Sequence, residues 1–287
     1  MAKHVPLSAV GPDPARIGIF DSGLGGLTVL REVYRQLPNE SVLYFGDTAR
    51  VPYGDRSEAE ILQFVREIMT WMTHCGVKMV LMACNTSSAT VLEIIQAEFS
   101  VPVLGIVLPG ARAAARAGQR IGVIATPITA ASNAYGRAIA EVDPNAQVWQ
   151  VGCPKFVPLI EQNRIDDPYT PIVTRTYLEP LIQRNIDTLV YGCTHYPYLE
   201  PILSQILPTH VQKIDPAVHV VAAASQELDV LGLRSSTKVH PTRFCVSGDP
   251  LQFQRGASQW LDRCPMVEQI TLPTTKPQAV PQRSPQD

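Results

Sequence analysis

Long apolar runs are missing from this 287-residue chain. The longest, such as Met79 to Cys84, fall far short of the roughly 20 residues that a membrane-spanning helix needs. Runs of Lys or Arg are missing too. The formal net charge is -2 and the sequence pI about 6.3. Such a balance gives no footprint for nucleic acid and none for an anionic membrane. The first 16 residues lack the apolar segment of a secretory signal, so a cytoplasmic location is expected. Cysteine is sparse, at 75, 84, 153, 193, 245 and 264, with no CxxC pair. In a reducing compartment such residues are small hydrophobes or reactive thiols and not disulfides. No HxxxH pair accompanies them, so a metal site is poorly supported. Lysine is rare, and none stands among the polar clusters at strand ends, so the sequence offers little to a pyridoxal cofactor. No cofactor is expected.

Short runs rich in Val, Ile and Leu are present, and they alternate with segments of helical period. Strands are expected at 16–20, 41–45, 78–83 and 102–106, with helices at 27–37, 58–74, 87–99 and 108–117. The alternation restarts with strands at 120–125 and 188–191, then a helix at 216–231, a strand at 242–246 and a helix at 250–261. Strands apolar on both faces and separated by helices imply parallel sheets covered on both sides, an α/β fold. The pattern also repeats. Segment 17–23 (Ile-Gly-Ile-Phe-Asp-Ser-Gly) is echoed at 121–127 (Ile-Gly-Val-Ile-Ala-Thr-Pro). Segment 80–86 (Val-Leu-Met-Ala-Cys-Asn-Thr) is echoed at 189–195 (Leu-Val-Tyr-Gly-Cys-Thr-His). Two similar parallel-sheet domains facing each other with pseudo-two-fold symmetry follow from this. The first would span 16–108 and 222–270, the second 109–221, with disordered tails at 1–15 and 271–287.

Three clusters carry chemistry. Asp21-Ser22-Gly23-Leu24-Gly25-Gly26 follows a strand and opens a helix, a place where backbone N–H groups can meet an anion. It partly fits a dinucleotide fingerprint, with Asp47 at a spacing suited to a ribose contact. However, Thr28 occupies the third glycine position, and Asp21 would oppose a pyrophosphate. A small carboxylate ligand fits better. Cys84, followed by Asn85 and Thr86, stands at another strand-to-helix junction. There the helix dipole is expected to lower the thiol's pKa toward neutrality. Cys193, followed by Thr194 and His195, repeats the arrangement and adds a histidine that could tune the thiol or donate a proton. A Cys-His hydrolase needs one nucleophilic thiol. Two thiols in mirrored contexts suit a different reaction, in which one removes a proton from carbon and the other delivers a proton to the opposite face. A thiol tuned near the working pH is competent for both halves.

Segments 19–29 (Ile-Phe-Asp-Ser-Gly-Leu-Gly-Gly-Leu-Thr-Val), 45–54 (Phe-Gly-Asp-Thr-Ala-Arg-Val-Pro-Tyr-Gly), 83–86, 192–197 and 246–250 (Val-Ser-Gly-Asp-Pro) resemble the glutamate racemase family of the aspartate/glutamate racemase superfamily. The likeness runs from about 16 to about 262. It implies cofactor-independent interconversion of L- and D-glutamate by Cys84 and Cys193, supplying D-glutamate for peptidoglycan. It also implies that Asp21 and His195 assist the thiols, and that Glu161 is an acidic group near the second one. Asp21, Ser22, Tyr53, Gly54, Asn85, Thr86, Thr194 and His195 correspond to substrate-contacting positions. Asp47 matches a further acidic position. Taken alone, Tyr53-Gly54 reads as a turn and Glu161 as a solvated helix residue. Family members often form homodimers. Aspartate racemase or a related isomerase is the nearest alternative activity. A second role in binding DNA gyrase, as reported for some members, has no basic patch to favour it.

Overall fold

The computed structural model describes residues 15–235, 239–261 and 263–273. The tails expected at 1–15 and 271–287 lie outside these residues, apart from 15 and 271–273. In chain order the strands are β1 (Ile17–Asp21), β2 (Val42–Gly46), β3 (Met79–Met82), β4 (Val103–Gly105), β5 (Arg120–Ala125), β6 (Gln147–Gly152), β7 (Thr188–Gly192), β8 (Gln212–Ile214), β9 (Arg243–Val246) and β10 (Val267–Gln269). The helices are α1 (Leu27–Gln36), α2 (Glu58–His74), α3 (Asn85–Thr90), α4 (Leu92–Glu98), α5 (Val107–Ala117), α6 (Pro127–Ser132), α7 (Ala134–Val142), α8 (Phe156–Glu161), α9 (Tyr169–Ile182), α10 (Glu200–Ile206), α11 (Pro216–Val230) and α12 (Pro250–Trp260).

The strands form two sheets, ordered β10-β9-β2-β1-β3-β4 and β6-β5-β7-β8, and every pairing is parallel. The order β2-β1-β3-β4 in one sheet therefore recurs as β6-β5-β7-β8 in the other. This is the α/β architecture with two related parallel sheets that the internal echo implied. The echoed segments occupy equivalent places. β1 pairs with β3 in the register Phe20↔Met82, and β5 pairs with β7 in the register Ala125↔Gly192. From each of β1 and β5 the chain crosses first to one side and later to the other. The gaps between β1 and β3 and between β5 and β7 are thus switch points, where α/β sheets bind ligands beyond the carboxyl ends of their strands.

Local sequence explains the helix starts. Ser57 and Glu60 form a reciprocal capping box at the start of α2. α11 and α12 both open on Asp-Pro. Asp215 and Asp249 accept hydrogen bonds from the N–H groups of Ala217 and Leu251, and proline takes the first helical position. The helix expected at 87–99 is instead two, α3 and α4. Val91 is fully buried in the apolar cluster that also holds Ile61 and Val65, and its backbone leaves the helical region. α11 packs on α1 and α5. One continuous apolar cluster joins Ile17, Val29 and Leu81 around the first sheet to Ile121, Tyr135 and Val190 around the second.

Candidate active site

The loop after β1 is shaped by what approaches it. Asp21, fully buried, accepts from its own loop at Gly23 N (2.9 Å), and Tyr44 Oη donates to Gly23 O (2.9 Å). A side chain at Gly25 would overlap His195 Nδ1 and Thr194 Oγ1, and one at Gly23 would collide with Glu161 Oε1. These glycines therefore admit the loop after β7 and the end of α8 to close range. The place a pyrophosphate would take is filled by protein, against the dinucleotide reading.

Cys84 is the residue before α3, beyond the end of β3, and its Sγ lies 4.0 Å from Ser22 Oγ. The expected lowering of its pKa is not what the fold produces. Burial and the nearby Asp21 carboxylate push the Cys84 thiol up to about 12, outweighing the Ser87 N–H that favours the thiolate. α3 is one short helix, and its dipole does not offset full desolvation. Asn85 Oδ1 accepts from Tyr135 Oη at 2.6 Å. Thr86 Oγ1 lies 3.0 Å from Thr126 Oγ1, which lies 2.8 Å from Thr129 Oγ1, so three hydroxyls form a buried cluster between α3 and the start of α6.

Cys193 follows β7, with its Sγ 3.7 Å from His195 Nδ1. His195 Nε2 lies 2.7 Å from Glu161 Oε1, which also accepts Leu24 N at 3.1 Å. Glu161, which sequence alone would leave solvated, is thus bound on two sides. Burial works against a charged His195, yet its contacts with Cys193 and Glu161 hold it well above the ordinary imidazole range. Burial likewise opposes ionisation of Glu161, but the His195 contact keeps its carboxyl below the usual range. Both shifts favour the ionised forms of the pair. Asp21 is displaced upward by burial, against the opposing pull of His195, and its Oδ2 accepts from Thr194 Oγ1 at 3.0 Å.

Both cysteines line one cavity. Ser22, Tyr53, Gly54, Asn85, Thr86, Thr194 and His195 line it with them. Asp21, Glu161 and Asp47 stand one layer behind. Asp47 accepts from Tyr53 Oη, from Arg50 Nε (2.7 Å) and from Ser247 Oγ (2.7 Å), so segment 246–250 braces the Tyr53-Gly54 turn. Sequence reading overlooked Thr126 and Cys153, which also line the cavity. Thr126 had a signal: in the internal echo it occupies the place of Ser22. Cys153 follows β6, a strand the apolar pattern did not reveal. Among the described residues, no group of three His, Cys, Asp or Glu side chains could hold a metal ion.

A family model described as Asp/Glu/Hydantoin racemase matches residues 17–224. A glutamate racemase from Nostoc sp. is 65% identical over 263 residues, covering 92% of this chain and 90% of that one. The chain belongs to the glutamate racemase family. Solved structures of glutamate racemases agree in fold. One from Bacillus anthracis superposes with a TM-score of 0.87 at 37% identity, covering 91% of this chain and 99% of that one. One from Francisella tularensis, determined with D-glutamate, gives a TM-score of 0.84 at 35% identity, covering 90% and 97%. No helix among the described residues of this family member is long and apolar enough to cross a membrane.

Proposed function

We propose that this enzyme interconverts L- and D-glutamate without a cofactor, using Cys84 and Cys193 as paired acid and base. The observation carrying this reading is that two thiols, one at the switch point of each sheet, line a single small cavity. Inversion requires removing the Cα proton from one face and supplying another to the opposite face. One sulfur, as thiolate, takes the Cα proton and leaves a planar carbanion. The other, as thiol, donates to the far face and becomes thiolate. Each turnover thus exchanges the protonation states of the two sulfurs and conserves charge. The high pKa of Cys84 suits the resting donor, while the imidazolium of His195 offers a positive charge beside Cys193. By family resemblance Cys84 meets the Cα hydrogen of D-glutamate, and Cys193 that of L-glutamate.

Asp21 and His195 assist the thiols, and Glu161 keeps His195 charged. Ser22, Tyr53, Gly54, Asn85, Thr86 and Thr194 present donors and acceptors to the substrate's carboxylates and ammonium. We divide the chain into 16–108 with 222–270 and 109–221. The sheet memberships support this division, and both boundaries fall within helices, α5 and α11, that pack on each other. Closure of the cleft between the two parts would exclude water around the reacting carbon. The D-glutamate formed would supply peptidoglycan synthesis in the cytoplasm. Incubation with L-glutamate in D₂O, with no added cofactor, tests the reading. D-Glutamate should accumulate with deuterium at Cα, and absence of both defeats the assignment. Aspartate in parallel separates the neighbouring activity.

A further inference from the structure

Resting on the reading that Asn85 faces substrate, we infer that Tyr135 is a positioning residue that sets which end of the Asn85 amide meets it. Asn85 is buried at the wall of the cavity, and its two amide atoms are treated differently. Oδ1 accepts from Tyr135 Oη at 2.6 Å, whereas Nδ2 has no hydrogen-bond partner in the protein. A buried amide N–H₂ without a partner is costly, and such groups in folded proteins ordinarily find one. Asn85 is among the residues that line the cavity, so a ligand bound there is the partner within reach. A carboxylate oxygen is the acceptor that a neutral donor there would take, and the bond would be charge-assisted.

An asparagine amide has nearly the same shape in its two orientations, so packing alone fixes neither. The phenol breaks that symmetry. The buried phenol O–H needs an acceptor, which Oδ1 supplies and Nδ2 cannot, so it selects Oδ1 and leaves Nδ2 for the ligand. Tyr135 itself is fully buried on α7, and burial holds its pKa far above neutrality, so it remains a donor at working pH. Asn85 belongs to α3, against the first sheet, and Tyr135 to α7, against the second. The orientation of a substrate-facing group beside one cysteine is therefore set from the opposite half of the fold.

The test is a double-mutant cycle on the full chain, using Tyr135→Phe, Asn85→Ala and the double variant. Glutamate KM and kcat are measured in both directions, with a melting temperature for each protein. Asn85→Ala should raise KM on the order of 10-fold, the size of one charge-assisted hydrogen bond. Tyr135→Phe, which keeps the ring, should raise KM by several-fold with a smaller change in kcat. In the Asn85→Ala background it should leave KM unchanged. A KM effect of Tyr135→Phe that persists in that background overturns the inference, as does a lowered melting temperature with no change in KM. An Asn85→Ala variant with wild-type KM overturns it as well. Should Tyr135→Phe fail to accumulate as folded protein, the side-chain amide resonances of Asn85 in the wild type serve instead. They should shift when glutamate binds, and their indifference to saturating glutamate would count against the idea. Failure of the wild type to racemise glutamate at all strikes the assigned reaction, a result separate from any of these.

Discussion

Thr194 Oγ1 donates to Asp21 Oδ2 at 3.0 Å, tying the loop after β7 in one sheet to the end of β1 in the other. Through this bond and the one from Leu24 N to Glu161, each half of the fold holds a carboxylate that the other half helps to satisfy. The two cysteine environments are consequently coupled, and perturbing one should be felt at the other.

Replacing either sulfur should stop racemisation. Cys84→Ala and Cys193→Ala should each lose on the order of 1,000-fold in racemisation rate, the scale of one general acid or base. The losses should differ in kind. Each variant retains a single competent sulfur and should exchange solvent deuterium into one enantiomer only. Equal, near-wild-type racemisation by both would contradict the paired roles.

The Cys84 thiol is a second target. Its pKa of about 12 reflects burial first and the Asp21 charge next. Asp21→Asn should therefore lower it. In a Cys193→Ala background, thiolate absorbance in the ultraviolet followed against pH should show the transition moving to lower pH. An unmoved or raised transition would show that Asp21 does not act on Cys84 through its charge.

The His195–Glu161 pair makes a prediction about stability. His195 holds its proton more tightly when folded. Its contribution is complete below the ordinary imidazole pKa and fades as pH climbs through the raised value. Glu161 behaves in the opposite sense, contributing above the ordinary carboxyl pKa and fading as pH falls through the depressed value. Glu161→Gln should cost on the order of 1.5–3 kcal/mol, the range for a hydrogen bond to a charged group. Denaturant titration should find this deficit largest between about pH 5 and pH 6.5 and smaller beyond either end. A deficit independent of pH would mean that the pair is not ionised.

Gly25→Ala tests the close approach of the two loops. The added methyl meets His195 and Thr194, and overpacking of this kind costs roughly 1–3 kcal/mol. Racemisation should fall more than stability implies, because the displaced atoms belong to the Cys193 loop. Activity retained at the wild-type level would show that the loops can separate without consequence.

The limits of the sequence reading have a physical pattern. Seven strands were legible as apolar runs, among them β1, β3, β5 and β7, which are flanked on both sides and buried. The strands that escaped notice, β6, β8 and β10, are edges, with Gln, Lys or Glu among partly exposed positions. A strand with one neighbour and one open side need not be apolar on both faces, so it leaves no continuous run. At the site, residues attached to β1, β3 and β7 were found from their clusters. Thr126 was hidden by its ordinary neighbours, and Cys153 by its polar strand. Tyr135 escaped because an aromatic residue inside an amphipathic helix reads as core, which its ring is, while its hydroxyl reaches Asn85. The direction of the Cys84 shift was misjudged because a short helix is visible in sequence, whereas the extent of burial is not.

The unequal surroundings of the two sulfurs carry a kinetic constraint. A reaction that converts a molecule into its mirror image has an equilibrium constant of one, whatever the catalyst. The asymmetry built by Asp21 on one side and His195 with Glu161 on the other can make one enantiomer bind more tightly, or turn over more slowly, than its twin. It cannot make kcat/KM differ between them, so any advantage in affinity must be returned in turnover.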